Sequence, residues 1–325
     1  MLQRLIDSEF EPINYAYNTV FRPNRLSIGL VVPLEAYTTS AVPTMARHIE
    51  RVRLAEELGF SSVWLRDVPF NVPSFGDAGQ LFDPFVYLGL LAGQTERIGL
   101  GVASIVLPLR HPAHVAKAAA SVDVLSGGRL LLGVASGDRP EEYPAMALSY
   151  ADRGKRFRDS FEYIRRMSET EAAFDNPYGR LGGGIDMLPK PAGGKLPLLI
   201  TGSSQQSPDW LAANGDGWMT YPRGAEQQAR VIADWRARSE TTGLPVKPAM
   251  QSLYVDLVDK PDAPAQPIHL GFRSGANVLL DYLKTIEAAG INHVALNLRF
   301  NQAEIETTLQ RLADHVLPTF SEQRD

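Results

Sequence analysis

The stretch that decides the fold is Ile98–Pro140, IGLGVASIVLPLRHPAHVAKAAASVDVLSGGRLLLGVASGDRP. It reads as an apolar strand, a loop, a helix over His114–Leu125, a turn at Ser126-Gly127-Gly128 and a second apolar strand over 129–136. Strands without polar alternation imply parallel pairing with both faces covered. Ligands of such sheets sit beyond the carboxyl ends of the strands. Small polar residues cluster there: Ser104 in the first strand, and Ser136, Gly137 and Asp138 after the second.

Working outward, apolar runs at 26–33, 61–67, 196–202, 216–222, 248–258 and 293–299 read as six further strands. Helical spacing falls between them: 45–59 with Thr44 as N-cap, Asp83-Pro84 to about Thr95, Asp152 to about Ala173, from Pro208, 225–241, 275–289 and 302–316. Eight strands alternating with helices predict a single α/β domain over 1–325, a (β/α)8 TIM barrel. An irregular N-terminal arm (1–24) precedes it, and a glycine-rich, hairpin-bearing insertion (174–195) lies between the helix after the fourth strand and the fifth strand. Residues 259–273 read as a Pro-rich loop. The alternative, a doubly wound open sheet, lacks a GxGxxG after the first strand, where LSIGLVVPLEAY has the wrong glycine spacing.

Composition narrows the function. A net charge of -5 gives no basic footprint for nucleic acid. No run approaches the roughly 18 apolar residues of a membrane span. The N-terminal residues lack a signal-peptide core, so a cytoplasmic location is expected. With no cysteine, disulfides, thiolate metal sites and cysteine nucleophiles are excluded. The six histidines show no HExxH spacing, and no metal site is expected.

At the strand tips, Thr201-Gly202-Ser203-Ser204-Gln205-Gln206-Ser207 joins a strand to a helix, which suits an anion. Ser207 serves equally as the cap of that helix. Ala103-Ser104 places two small residues in mid-strand, which suggests a bulge at a ligand or room for a neighbouring helix. Asp67 offers a base, an acceptor or a partner for Arg66. No GxSxG elbow is present. Binding groups outnumber nucleophiles, a pattern that suits a cofactor doing the chemistry.

GVASIVLPLRHPAHVAKAAASVDVLSGGRLLLGVASG and LLITGSSQQSPDWLAANGDGW resemble the luciferase-like flavin monooxygenase family, over roughly residues 26–316. RLSIGLVVPLEAY, WLRDVPF and PSFGD are similar to a narrower branch of it. The resemblance implies FMN, in reduced form as cosubstrate, in the barrel mouth. It implies a cis peptide at Ala103-Ser104 under the ring, with Asp67, Ser136 and Gly137 near the cofactor. It puts the phosphate at Gly202, Ser203, Ser204 and Ser207. It further implies a small-molecule substrate oxidised with dioxygen, a separate flavin reductase and a homodimer. A deazaflavin-dependent hydride-transfer dehydrogenase and a non-catalytic flavin-binding protein are the alternatives. Many members carry histidine after the second-strand acid, whereas this chain has Val68. The catalytic group is thereby left among Asp67, Arg110 and His111. Arg66, Arg110 and Arg139 are candidates for an anionic-substrate pocket, and Phe75, Phe82, Trp64 and Tyr37 for its walls.

Overall fold

The computed structural model describes residues 10–321 except position 242. In chain order the strands are β1 (Ser27–Val31), β2 (Ser62–Leu65), β3 (Gly99–Val106), β4 (Leu130–Ala135), β5 (Ala173–Asn176), β6 (Gly179–Gly182), β7 (Leu198–Thr201), β8 (Gly217–Thr220), β9 (Ala249–Leu257), β10 (Gln266–Ile268), β11 (Gly271–Ser274) and β12 (His293–Asn297). Eight of them pair in parallel in the ring order β1-β2-β3-β4-β7-β8-β9-β12, and β12 closes on β1. The chain is therefore a (β/α)8 barrel. Every residue of β2 is buried, as is β4 up to its last residue, which explains their unbroken apolar sequence.

The helices are α1 (Tyr15–Val20), α2 (His48–Glu57), α3 (Pro84–Ala92), α4 (Pro112–Leu125), α5 (Glu142–Ala145), α6 (Arg153–Arg166), α7 (Pro208–Asn214), α8 (Ala225–Thr241), α9 (Ala276–Ala288), α10 (Ile305–His315) and α11 (Leu317–Phe320). Asp83 caps α3 through the Phe85 and Val86 N–H groups, with Pro84 at the first helical position. The insertion forms the expected antiparallel hairpin, β5 with β6.

Four local expectations need correction. The arm is not irregular throughout: α1 lies within it, while residues 1–9 fall outside the described residues. Asn14 accepts from Tyr17 N–H and donates to Asp123 and Leu130, and Phe10, Ile13, Tyr17 and Phe21 pack onto inward-facing barrel residues. Second, α2 starts at His48 rather than after Thr44. Glu35 instead takes the Thr44 and Met45 N–H groups, and Met45 and Arg47 adopt left-handed backbone. Third, α6 ends at Arg166, ahead of β5. Fourth, the 259–273 loop contains β10 and β11, and β11 extends the sheet alongside β9.

Trp64 is a core residue, not a pocket wall. Its indole lies against Gly101, where an added Cβ would come within 2.3 Å of the ring. The indole N–H donates to His293 Nε2 at 2.8 Å, and Ser27 Oγ lies 2.7 Å from His293 Nδ1. Since an indole nitrogen only donates, Nε2 is the acceptor and the imidazole is neutral. Burial lowers the His293 pKa to about 3, consistent with that assignment.

Candidate functional site

A cavity of about 680 Å³ opens at the carboxyl ends of the barrel strands. Val31, Met219, Met250 and Ala295, all facing the barrel interior, make its apolar floor.

The β3 wall carries the break anticipated at Ala103-Ser104. Val102 pairs with Leu132 and Ile105 with Val134, so two residues face one across the ladder. The Ala103–Ser104 peptide is cis, and the Ser104 and Thr201 hydroxyls hydrogen-bond to each other. Ser136 and Gly137 line the adjacent wall, and the Tyr143 hydroxyl donates to the Ser136 carbonyl.

Asp67 borders the cavity, but its carboxylate is fully engaged. It accepts from Val106 N–H at 3.1 Å and from Arg110 Nε and Nη2 at 2.9 and 2.7 Å. Arg110 also bonds Asp83 at 2.8 Å, and these carboxylates raise its pKa despite burial. Asp67 and Arg110 thus form a bidentate clamp on the end of β3, not a free base. Arg110 lies outside the cavity lining. His111 lies outside it too: its ring accepts from Ala113 N–H at the start of α4 and packs near His114, Tyr163 and Tyr178.

The serine loop divides by role. Gly202, Ser203, Ser204 and Gln205 line the cavity, and Gly202, Ser204 and Gln205 have positive φ. Such a winding turns backbone N–H groups toward a concavity. Ser204 Oγ donates back to the Thr201 carbonyl at 2.8 Å, while Ser203 Oγ accepts weakly from Gln205 N–H at 3.4 Å, leaving its own proton free. Ser207 is outside the lining and caps α7 through Trp210 N–H. Sequence reasoning missed Arg153, which also lines the cavity. Its guanidinium stacks 3.8 Å from the Tyr150 ring centroid, its Nη1 bonds the Tyr150 carbonyl, and its Nε is buried without a partner. Gly154 holds this part of α6 against Gln205.

The opposite end is built on Asp77. Its Oδ2 meets Arg66 Nη1 at 2.5 Å and Arg299 Nη1 at 3.1 Å, and its backbone carbonyl accepts from Arg139 Nη2 at 3.1 Å. Burial opposes the Asp77 charge, but Arg66 and the Gly79 N–H hold its pKa below the usual range. Arg66 and Arg139 therefore line one pocket, as the sequence suggested, with Arg299 in place of Arg110. Arg139 Nη1, Arg299 Nε and Glu142 Oε1 are buried without partners. Burial pushes Glu142 up to about 7, against the pull of Arg139. Of the predicted walls only Phe75 lines the cavity; Tyr37 is buried behind Asp77, and Phe82 packs on His48 and Tyr87. His269 and Leu270, from the unexpected β10–β11 turn, join the rim. Among the described residues no cluster of histidine and carboxylate groups could hold a metal, and no helix is long and apolar enough to cross a membrane.

Barrel and mouth together define a (β/α)8 protein with a polar-walled ligand cavity at the carboxyl face. The chain belongs to the luciferase-like monooxygenase family, which matches residues 26–302. A protein of Mycobacterium tuberculosis without assigned function is 29% identical over 238 residues, covering 67% of this chain and 82% of that protein. The monooxygenase RslO1 of Streptomyces bottropensis has a similar fold (TM-score 0.75, 20% identity, 91% of this chain and 100% of that one). So does an F420-dependent secondary alcohol dehydrogenase in complex with an F420-acetone adduct (TM-score 0.74, 17% identity, 92% and 100%). The oxygenating constituent of 3,6-diketocamphane monooxygenase from Pseudomonas putida, in complex with FMN, is a third (TM-score 0.73, 15% identity, 91% and 99%). Members of the family are oxidoreductases, and neighbours of this fold include enzymes of FMN and of F420.

Proposed function

We propose that this chain is an FMN-dependent oxidoreductase of the monooxygenase type, acting on a small organic substrate. One observation carries the reading: a single cavity joins the β3 break at Ala103-Ser104 to the Gly202–Gln205 loop and Arg153. The donor set fits a phosphorylated flavin. Arg153 Nε is a buried cation donor without a partner, and the Ser203 proton and loop N–H groups lie along the same wall.

Ser203 Oγ, the Ser203 and Ser204 N–H groups and Arg153 would hold the phosphate, while Gly202 N–H stays on the Met219 carbonyl. Ala103, Ser104, Ser136 and Gly137 would flank the ring. A reduced flavin supplies the electrons for oxygen activation. The chain's own groups do the rest. Met219, Met250, Val31 and Ala295 keep water from the floor. The Asp67–Arg110 clamp fixes the backbone at Val106, and the Ser104–Thr201 bond ties the β3 break to β7. A separate reductase would deliver the reduced cofactor, in a cytoplasmic setting. A second copy of the chain would cover the exposed apolar row Leu81, Phe82, Val86 and Leu90 at α3.

One observation favours a second reading, hydride transfer with the deazaflavin F420. Glu142 lines the cavity with Oε1 unpartnered, and burial pushes its pKa up to about 7, the range that suits a group exchanging a proton with an alcohol. Absorbance titration with FMN, riboflavin and F420 separates the readings. Saturable FMN binding at lower concentration than F420 supports the first, the reverse order supports the second, and binding of none defeats both.

A further inference from the structure

We infer that the substrate of this site is a carboxylate, received by Arg139 and Arg299 beside Asp77. The inference rests on the proposed cofactor site in one respect, that the cofactor phosphate occupies the Ser203–Arg153 end and leaves the Asp77 end to substrate.

Charge balance is the first ground. Arg66 and Arg299 pair with one carboxylate, Asp77, and Arg139 bonds only the Asp77 backbone carbonyl, so the pocket end carries an excess of positive charge. The other acids nearby do not cancel it. Asp67 is taken up by Arg110, Asp138 sits exposed at the rim, and Glu142 is pushed toward its neutral form by burial. Buried guanidinium groups are ordinarily paired.

Hydrogen-bond accounting is the second ground. Arg139 is only 5% exposed and Nη2 is satisfied, yet Nη1 has no acceptor. Arg299 Nε is buried without one as well, although both of its terminal nitrogens are engaged. Two orphaned donors on arginines that share Asp77 match the two oxygens of a carboxylate. Glu142 Oε1 is also buried without a partner among these cavity-lining groups.

Access is the third ground. Phe75 stacks 4.1 Å from the Arg139 guanidinium and is itself 43% exposed on a short turn. Phe75 lies on a turn outside the barrel strands, and displacing its ring would uncover Arg139. Tyr254 and Leu270 border the same cavity, so the rest of the substrate meets apolar surface.

Benzoate and its uncharged isostere benzamide test the assignment. Each is titrated into the FMN-loaded chain by flavin absorbance and into the flavin-free chain by thermal shift. Benzoate is expected to bind about tenfold or more tightly than benzamide. Arg139→Gln should remove that advantage, and Arg139→Lys should recover part of it, with FMN affinity unchanged in both. Arg299→Gln should act in the same direction. Equal binding of the two probes overturns the inference, as does an advantage that survives Arg139→Gln. An advantage abolished by Ser203→Ala instead also overturns it, because benzoate would then sit at the phosphate end. If FMN fails to bind while benzoate still stabilises the flavin-free chain through Arg139, the cofactor reading falls and this one stands.

Discussion

The inside of the barrel and its mouth treat buried polar groups in opposite ways. Inside, His293 bonds Ser27, Ser62 and Trp64, and the Ser27 hydroxyl donates to the Val20 carbonyl. At the mouth, Arg139, Glu142, Arg153 and Arg299 each keep a buried atom without a partner, four of nine such atoms among the described residues. Both regions are polar and enclosed, so burial does not separate them. A closed network specifies a structure, whereas an open one around a cavity is arranged for something that arrives. The remaining five atoms, on Ser160, Arg166, Tyr178, Trp235 and Arg236, do not line the cavity.

Breaking the closed region should cost most. Gly101→Ala drives a methyl into the Trp64 ring, and a loss of about 3 kcal/mol in denaturant unfolding is expected. His293→Gln removes the imidazole shared by Ser27, Ser62 and Trp64, with an expected cost of about 2 kcal/mol at pH 7.5. Its pH dependence has a definite sign. The folded His293 pKa, about 3, lies below the unfolded value of about 6.5. Its contribution is therefore complete above pH 6.5 and declines as pH falls toward 3. The gap between wild type and variant should narrow on acidification.

Changes at the mouth should leave the fold standing and move binding instead. Arg153→Met and Ser203→Ala should each weaken FMN about tenfold and leave riboflavin unchanged. The smallest effect carries the opposite sign from His293. Glu142 has its pKa raised from 4.5 to about 7 by burial, with Arg139 opposing and Asp67 and Asp138 reinforcing. Its charged form therefore costs stability above pH 7, and that cost disappears as pH falls toward 4.5. Glu142→Gln should stabilise the chain by about 1 kcal/mol at pH 8, by progressively less as pH falls, and by nothing below about pH 4. A variant no more stable at pH 8 would mean that the Phe70 N–H and Arg139 already offset the burial of Glu142.

Legibility in the sequence followed the same division. The eight strands could be read because burial on both faces leaves continuous apolar runs such as RLLLGVAS and LPLLITG. Ala103-Ser104 stood out because two small residues interrupt such a run, and the Gly202–Ser204 loop because it joins a strand to a helix. Arg153 and Glu142 gave no signal, since they lie in the helical segment after β4 and meet the cavity only when the chain folds back over the mouth. Asp77 was quoted within PSFGD without a role, because its work is to gather arginines from three distant segments. His111 drew attention through its HP pair, but that pair starts a helix. The β10–β11 hairpin was hidden by its prolines, which a short strand at the sheet's edge tolerates.

The central claim is that the Ser203–Arg153 end of the mouth receives a phosphorylated flavin-type cofactor. Equilibrium titration of FMN against riboflavin, with wild type and Ser203→Ala, tests it most directly. The account predicts that wild type binds FMN about tenfold or more tightly than riboflavin and that the substitution removes most of the difference. Equal affinity of wild type for FMN and riboflavin would contradict it.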